Sequence, residues 1–268
     1  RGLRIAFLGD SITSDRKSYF NILRTALRER IDFADLSVSG FRVVDLFSPT
    51  IPAVYAFQPN IAHIMIGSND IKRSADHFDH PHLSLSEYRR TLRYIIKVIM
   101  ERGTDVLIST IPPLCIAKST PAFAADNVIF HEEDRRACND AIRALADEEG
   151  CFLNDMEALY AQYPTDALTE DDGLHLNANG QFLLAQAIFK RLASIAAKAH
   201  VIADTHKHCA KHTLLNRMPA AEALAAGAYA HLDFSHVDVV GQRRSVHQGI
   251  PARRPALAQS PLQDDLHG

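Results

Sequence analysis

LRIAFLGDSIT, residues 3–13, joins an apolar run to a small polar cluster. Leu3 to Leu8 predicts a buried strand and Asp15 to Arg30 predicts a helix. Ser11 therefore stands where a strand gives way to a helix N-terminus. In open α/β sheets ligands bind at that edge, because free backbone N–H groups and the positive end of the helix dipole point there. A serine so placed can expose its hydroxyl and offer its own N–H to a developing oxyanion. Taken alone, the cluster describes a helix-capping serine equally well.

Two further clusters fall at matching places. Ile61 to Ile66 is a second continuous apolar run, ended by Gly67-Ser68-Asn69-Asp70. Asp172-Gly173-Leu174-His175-Leu176-Asn177 precedes an apolar helical pattern that starts at Ala178. Acyl transfer by serine needs a base for the hydroxyl proton and a carboxylate to set the tautomer of that base. Asp172 and His175 are close enough for one short loop to supply both. The side-chain amide of Asn69 suits an oxyanion donor, and Gly40, after the second apolar run, can present an unobstructed N–H. By residue type alone, His175 also fits an ordinary loop histidine and Asp172 a helix cap. Glu170 and Asp171 are acids just as near.

Gly9-Asp10-Ser11, Gly40, Gly67-Ser68-Asn69-Asp70 and Asp172-Gly173-Leu174-His175 resemble, in order, the four signature blocks of the SGNH/GDSL hydrolase family of esterases and lipases. The resemblance spans residues 3–198. Each block alone is common by chance; four in order, each after an apolar run, are specific. The likeness implies Ser11 as nucleophile, His175 as base and Asp172 as its orienting carboxylate. It implies an oxyanion hole of the Ser11 N–H, the Gly40 N–H and the Asn69 side chain. Asp10 and Asp70 are expected to brace loops, Asp70 by accepting backbone hydrogen bonds in the turn after its strand. Gly9 and Gly67 are expected in tight turns.

Strand-like runs recur at Leu3–Leu8, Phe33–Val38, Ile61–Ile66, Asp105–Thr110 and Cys151–Asn154. Helical patterns lie at Asp15–Arg30, Val43–Phe57, Leu85–Arg102, His131–Glu149 and Ala178–Lys198. The alternation predicts βαβ units and an α/β fold: a three-layer α/β/α sandwich on a five-stranded parallel sheet, flavodoxin-like. The expected division is a hydrolase domain over 1–200 and a weakly ordered or disordered appendage over 201–268, whose last stretch is rich in Pro, Gln, Arg and Ala.

Composition narrows the function. The chain has 268 residues with a formal net charge of −3, so no overall field favours nucleic acid, and no basic stripe with interleaved aromatics occurs. No run approaches ~18 apolar residues, which argues against a transmembrane segment. Four cysteines, Cys115, Cys138, Cys151 and Cys209, lack framework spacing and fit a reducing, cytoplasmic setting, with Cys138 and Cys151 packing as small hydrophobes. No leader pattern precedes the first strand, although the chain opens on Arg1 and an earlier removed leader is compatible with that. Gly-x-Ser-x-Gly, Gly-x-Gly-x-x-Gly and P-loop patterns are missing, against a usual α/β-hydrolase, a dinucleotide-binding domain and a P-loop enzyme.

Two loops are expected to shape substrate choice: the polar Ile71–Ser84, with His77, His80 and His82, and the mixed Pro112–Phe130. His206, His208, Cys209 and His212 in the tail have metal-like spacing, but chance clustering in a histidine-rich tail is the simpler reading. No metal or other cofactor is expected. The expected activity is serine-dependent hydrolysis of carboxylic esters, short acyl or acetyl groups in particular, with a small-molecule acyl ester as substrate. O-acyl transfer, lysophospholipase activity and a non-catalytic binding domain on the same scaffold are the alternatives, and the oligomeric state stays open.

Overall fold

A computed structural model describes residues 3–28, 31–76 and 80–205. Five parallel strands form one sheet: β1 (Leu3–Gly9), β2 (Ile31–Asp35), β3 (Ile61–Met65), β5 (Asp105–Ser109) and β7 (Phe152–Asn154), in the order β2-β1-β3-β5-β7. A separate two-stranded antiparallel ribbon pairs β4 (Arg73–Ser74) with β6 (Val128–Ile129). The helices are α1 (Ser11–Ser14), α2 (Tyr19–Leu27), α3 (Thr50–Phe57), α4 (Leu85–Met100), α5 (Ile116–Ala122), α6 (Glu132–Glu149), α7 (Met156–Tyr160) and α8 (Ala178–Thr205). This is the expected flavodoxin-like three-layer arrangement.

The strand side chains alternate between two cores, as the pleat requires. Leu3, Ile5 and Phe7 of β1 join Ile61 and Met65 of β3 against α2 and α8. Ala6 and Leu8 join Ala62, Ile64, Val106 and Ile108 against α3, α4 and α6. Each buried Leu or Ile contributes about 1.5–3 kcal/mol relative to exposure. Both faces of the sheet are thus covered, which is why its central strands are almost unbrokenly apolar. A polar chain also crosses the first core. Thr13 Oγ1 meets Tyr19 OH at 2.8 Å, Tyr19 OH meets His63 Nδ1 at 3.2 Å, and His63 Nε2 meets Ser109 Oγ at 2.7 Å.

Two expected helices differ from their patterns. The pattern at Asp15–Arg30 holds α2 alone, because Asp15 takes an extended ψ of 144° and its carboxylate accepts from Lys17 N at 2.6 Å, which separates α2 from the single turn α1 before it. The pattern at Val43–Phe57 becomes a 3-10 turn (Val43–Phe47) and α3. Ser48 before Pro49 is extended, as a pre-proline residue prefers. The Pro112–Phe130 segment, expected as a loop, holds α5 and β6. The last helix runs past the expected boundary at 200, to Thr205. The expected appendage beyond it, with His206, His208, Cys209 and His212, lies outside the described residues, as does His77.

Candidate active site

The strand order sets the site. β1 lies between β2 and β3, so the carboxyl ends of these three strands open side by side. Beyond β2 the chain keeps following β1, with Leu36 N donating to Phe7 O at 2.8 Å and Val38 N to Gly9 O at 3.1 Å. That continuation carries Gly40 to the end of β1. Gly40 has φ +84°, a conformation that favours glycine, and open space where a Cβ would stand.

Ser11 opens α1, a single helical turn. The Asp10 carboxylate caps it by accepting from Ile12 N at 3.0 Å, which leaves the Ser11 N–H among the unpartnered first-turn donors. Across the cleft, Asp172 and His175 share one tight loop. Asp172 Oδ1 accepts from Leu174 N and His175 N, both at 2.9 Å, and Asp172 Oδ2 meets His175 Nδ1 at 2.5 Å. His175 Nε2 lies 2.8 Å from Ser11 Oγ. Asp172 is thus the acid beside His175, while Glu170 and Asp171 are exposed. Burial raises the Asp172 carboxyl, but the His175 ring and the two backbone N–H groups outweigh it and hold the carboxyl below its usual range. An ionised Asp172 selects the tautomer with hydrogen on Nδ1, so Nε2 is free to accept the Ser11 proton.

The loop is anchored from outside. Cys115 N donates to Gly173 O at 2.8 Å, and Lys118 Nζ donates to the carbonyls of Asp166, Thr169 and Glu170 at 3.0, 3.3 and 3.4 Å. Asn177 Oδ1 accepts from Asn179 N and Gly180 N, which starts α8 immediately after the loop. The Lys118 role has no signature in the sequence, because it depends on carbonyls presented by tertiary folding, whereas Asn177 before α8 is a local N-cap of the kind a helix start favours.

Asn69 is buried in the turn after β3, with its Nδ2 donating to Phe41 O at 2.9 Å. Next to it, Asp70 accepts from Val43 N at 3.1 and 3.2 Å. Asp70 is therefore a brace, as expected, but it reaches across to the segment that follows Gly40 instead of closing its own turn. Together these bonds lock the Gly40 and Asn69 segments to each other. Gly67 has φ +134° and makes the turn, whereas Gly9 has an ordinary φ and is required for a different reason, close approach of β3. Ser11, Gly40, Asn69, Asp172 and His175 all lie at this one edge. Among the described residues no group of three or more His, Cys, Asp or Glu could hold a metal ion.

Burial pushes two carboxyls upward beside the site. Asp10 rises to about 6 despite hydrogen bonds from Ile12 N and Ser68. Asp70 rises to about 7, against the Val43 N–H and with the Asp10 charge adding to the rise. A carboxyl raised in the folded state stabilises below its unfolded value, near 3.9, and that contribution is lost as pH climbs through the folded value. His63 works oppositely: burial lowers it to about 3, so its contribution is present above about 6.5 and lost as pH falls towards 3. The Asp70→Asn variant, which keeps an acceptor for Val43 N, should match wild-type thermal stability near pH 4. It should exceed wild type increasingly from pH 5 to pH 8, by a few kcal/mol. Parallel melting curves across that range would refute the assignment.

A doubly wound parallel sheet carries a hydrogen-bonded serine, histidine and aspartate at its carboxyl edge, an arrangement suited to acyl transfer. Residues 7–182 match the model of the GDSL-like Lipase/Acylhydrolase family, and the chain belongs to that family. Its fold is similar to that of a lipase/acylhydrolase from Enterococcus faecalis (TM-score 0.57, 19% identity, covering 69% of this chain and 93% of that one). It is similar to the acetyl xylan esterase AlAXEase (TM-score 0.58, 20% identity, 70% and 98% covered). A catalytic mutant of Axe2, an acetylxylan esterase from Geobacillus stearothermophilus, is similar too (TM-score 0.57, 20% identity, 71% and 95% covered). A search of curated proteins finds no match.

Proposed function

We propose that the chain is a serine-dependent carboxylic ester hydrolase working through an acyl-enzyme, with short acyl groups, acetyl above all, as its preferred cargo. The observation that carries this is the continuous series Ser11 Oγ, His175 Nε2, His175 Nδ1, Asp172 Oδ2, with spacings of 2.8 and 2.5 Å. Ser11 Oγ attacks the acyl carbonyl while His175 takes its proton. The oxyanion is met by the N–H groups of Ser11 and Gly40 and by the second N–H of Asn69, whose first is held by Phe41 O. The alcohol leaves with the proton from His175. Water activated by His175 then attacks the acyl carbonyl, the Ser11 ester bond breaks, and the acid is released. No cofactor takes part in these steps. The short-acyl preference rests on the polarity of Ile71–Ser84 and on the two structurally similar acetyl xylan esterases.

The test is hydrolysis of p-nitrophenyl acetate, butyrate and octanoate by wild type and Ser11→Ala. Burst release of nitrophenol with acetate, lost in the variant, is expected, with turnover falling as the acyl chain lengthens. Equal activity in both proteins would remove Ser11 from the mechanism, and a preference for octanoate would overturn the short-acyl assignment.

A further inference from the structure

The serine and its base come from segments more than 160 residues apart, and the buried side chain of Gln181 joins those segments by hydrogen bonds. Gln181 lies in the first turn of α8, four residues after Asn177, and is 3% exposed. Its backbone N donates to Asn177 O at 2.9 Å, which ties it to the end of the Asp172–His175 loop. Its side chain crosses to the serine segment. Nε2 donates to Ile12 O at 3.2 Å, and Oε1 accepts from Tyr19 N at 2.9 Å.

Both of these backbone groups are left over by helix ends. α1 stops at Ser14, so the Ile12 carbonyl has no following turn to donate to it. Tyr19 is the first residue of α2, so its N–H has no preceding carbonyl. A primary amide is the side chain that offers a donor and an acceptor side by side, and here it fills one vacancy at each helix end. The apolar packing of α2 on α8, through Leu23, Leu184 and Ile188, brings the segments together but has no directional preference. Hydrogen bonds to Ile12 and Tyr19 set direction and register.

We propose that Gln181 is a positioning residue: it fixes the turn bearing Ser11 against the helix that follows His175, and so holds the Ser11–His175 hydrogen bond at reacting distance. This rests on the reading of Ser11 as nucleophile and His175 as base. Misplacement by about 1 Å can cost around a hundredfold in rate. Loss of the amide therefore lowers kcat roughly 10- to 100-fold and leaves KM within about twofold, since Gln181 is buried and presents no surface to a substrate.

The experiment measures kcat and KM for p-nitrophenyl acetate, with thermal midpoints, in wild type, Gln181→Met, His175→Ala and the double variant. Gln181→Met keeps the length and burial and removes both hydrogen bonds. The expected result is the kcat loss with KM held, and no further loss when Gln181→Met is added to His175→Ala, because no base remains to be aligned. An unchanged kcat, or an equal fold loss in both backgrounds, overturns the proposal. Should Gln181→Met fail to fold, Gln181→Glu retains the acceptor for Tyr19 N and removes the donor to Ile12 O. It should show the same lowered kcat, and wild-type kcat in it is equally fatal. Full activity in His175→Ala would instead sink the proposed mechanism itself, an outcome separate from normal activity confined to the Gln181 variants.

Discussion

His175→Ala should lower kcat for p-nitrophenyl acetate by on the order of 10⁴- to 10⁶-fold while leaving the thermal midpoint almost unchanged. His175 Nε2 lies within hydrogen-bond reach of Ser11 Oγ, at 2.8 Å, and the residue is part-exposed, so its ring carries little of the core. Without it the hydroxyl has no acceptor for its proton, and attack falls to the level of an unactivated alcohol. Asp172→Asn should cost on the order of 10³- to 10⁴-fold through a separate route. The amide still accepts from Leu174 N and His175 N, so the loop stays folded. It loses the charge that keeps hydrogen on Nδ1. Single-turnover acylation and circular dichroism on both variants separate chemistry from folding. A His175→Ala enzyme within tenfold of wild type would contradict the proton route.

Gly9→Ala should be strongly destabilising. A Cβ there would stand 2.7 Å from the Met65 carbonyl oxygen of the neighbouring strand and 2.4 Å from Thr13 Oγ1. The first is backbone at the last pair of the parallel β1–β3 register, Gly9 against Met65, and moves only by parting the ends of the two strands. The second belongs to the buried Thr13–Tyr19–His63 chain, so a rotamer change there would break the Thr13–Tyr19 bond and leave the buried Thr13 hydroxyl without that partner. Overpacking costs about 1–3 kcal/mol, and an unsatisfied buried hydroxyl adds about 1–3 kcal/mol. For a domain of this size the thermal midpoint should fall by roughly 6–15 °C. The same strain displaces Ser11, two residues on, so activity at 25 °C should fall beyond the loss of folded protein. A variant with a wild-type melting curve would show that β1 and β3 separate more easily than their pairing implies.

The two effects differ in how far they were readable beforehand. Ser11, Gly40 and Asn69 are legible as candidates because they follow apolar runs that give way to Gly, Asp, Ser and Asn, while Asp172 and His175 are picked out by the order of the four blocks that the family resemblance rests on. The need for glycine at position 9 was legible only as a generic turn, and its real cause is a carbonyl 56 residues away in the sequence. Asp70 likewise invited a local explanation, whereas its partner is the Val43 N–H. The helix breaks at Asp15 and Ser48 escaped the periodic pattern, because apolar spacing records which face is buried and is silent on where hydrogen bonds lapse.

By itself the amino-acid sequence determined the alternation of strand and helix and the parallel sheet covered on both faces. These follow from periodicity and residue chemistry, which are local properties of the chain. Only the tertiary structure decided that Asp70 accepts from Val43 N, that Phe41 O holds Asn69, and that Gln181 joins the serine's turn to α8. Each of those depends on the direction of a hydrogen bond between groups distant in the chain or turned by a tight loop, and direction exists only once the backbone has been placed.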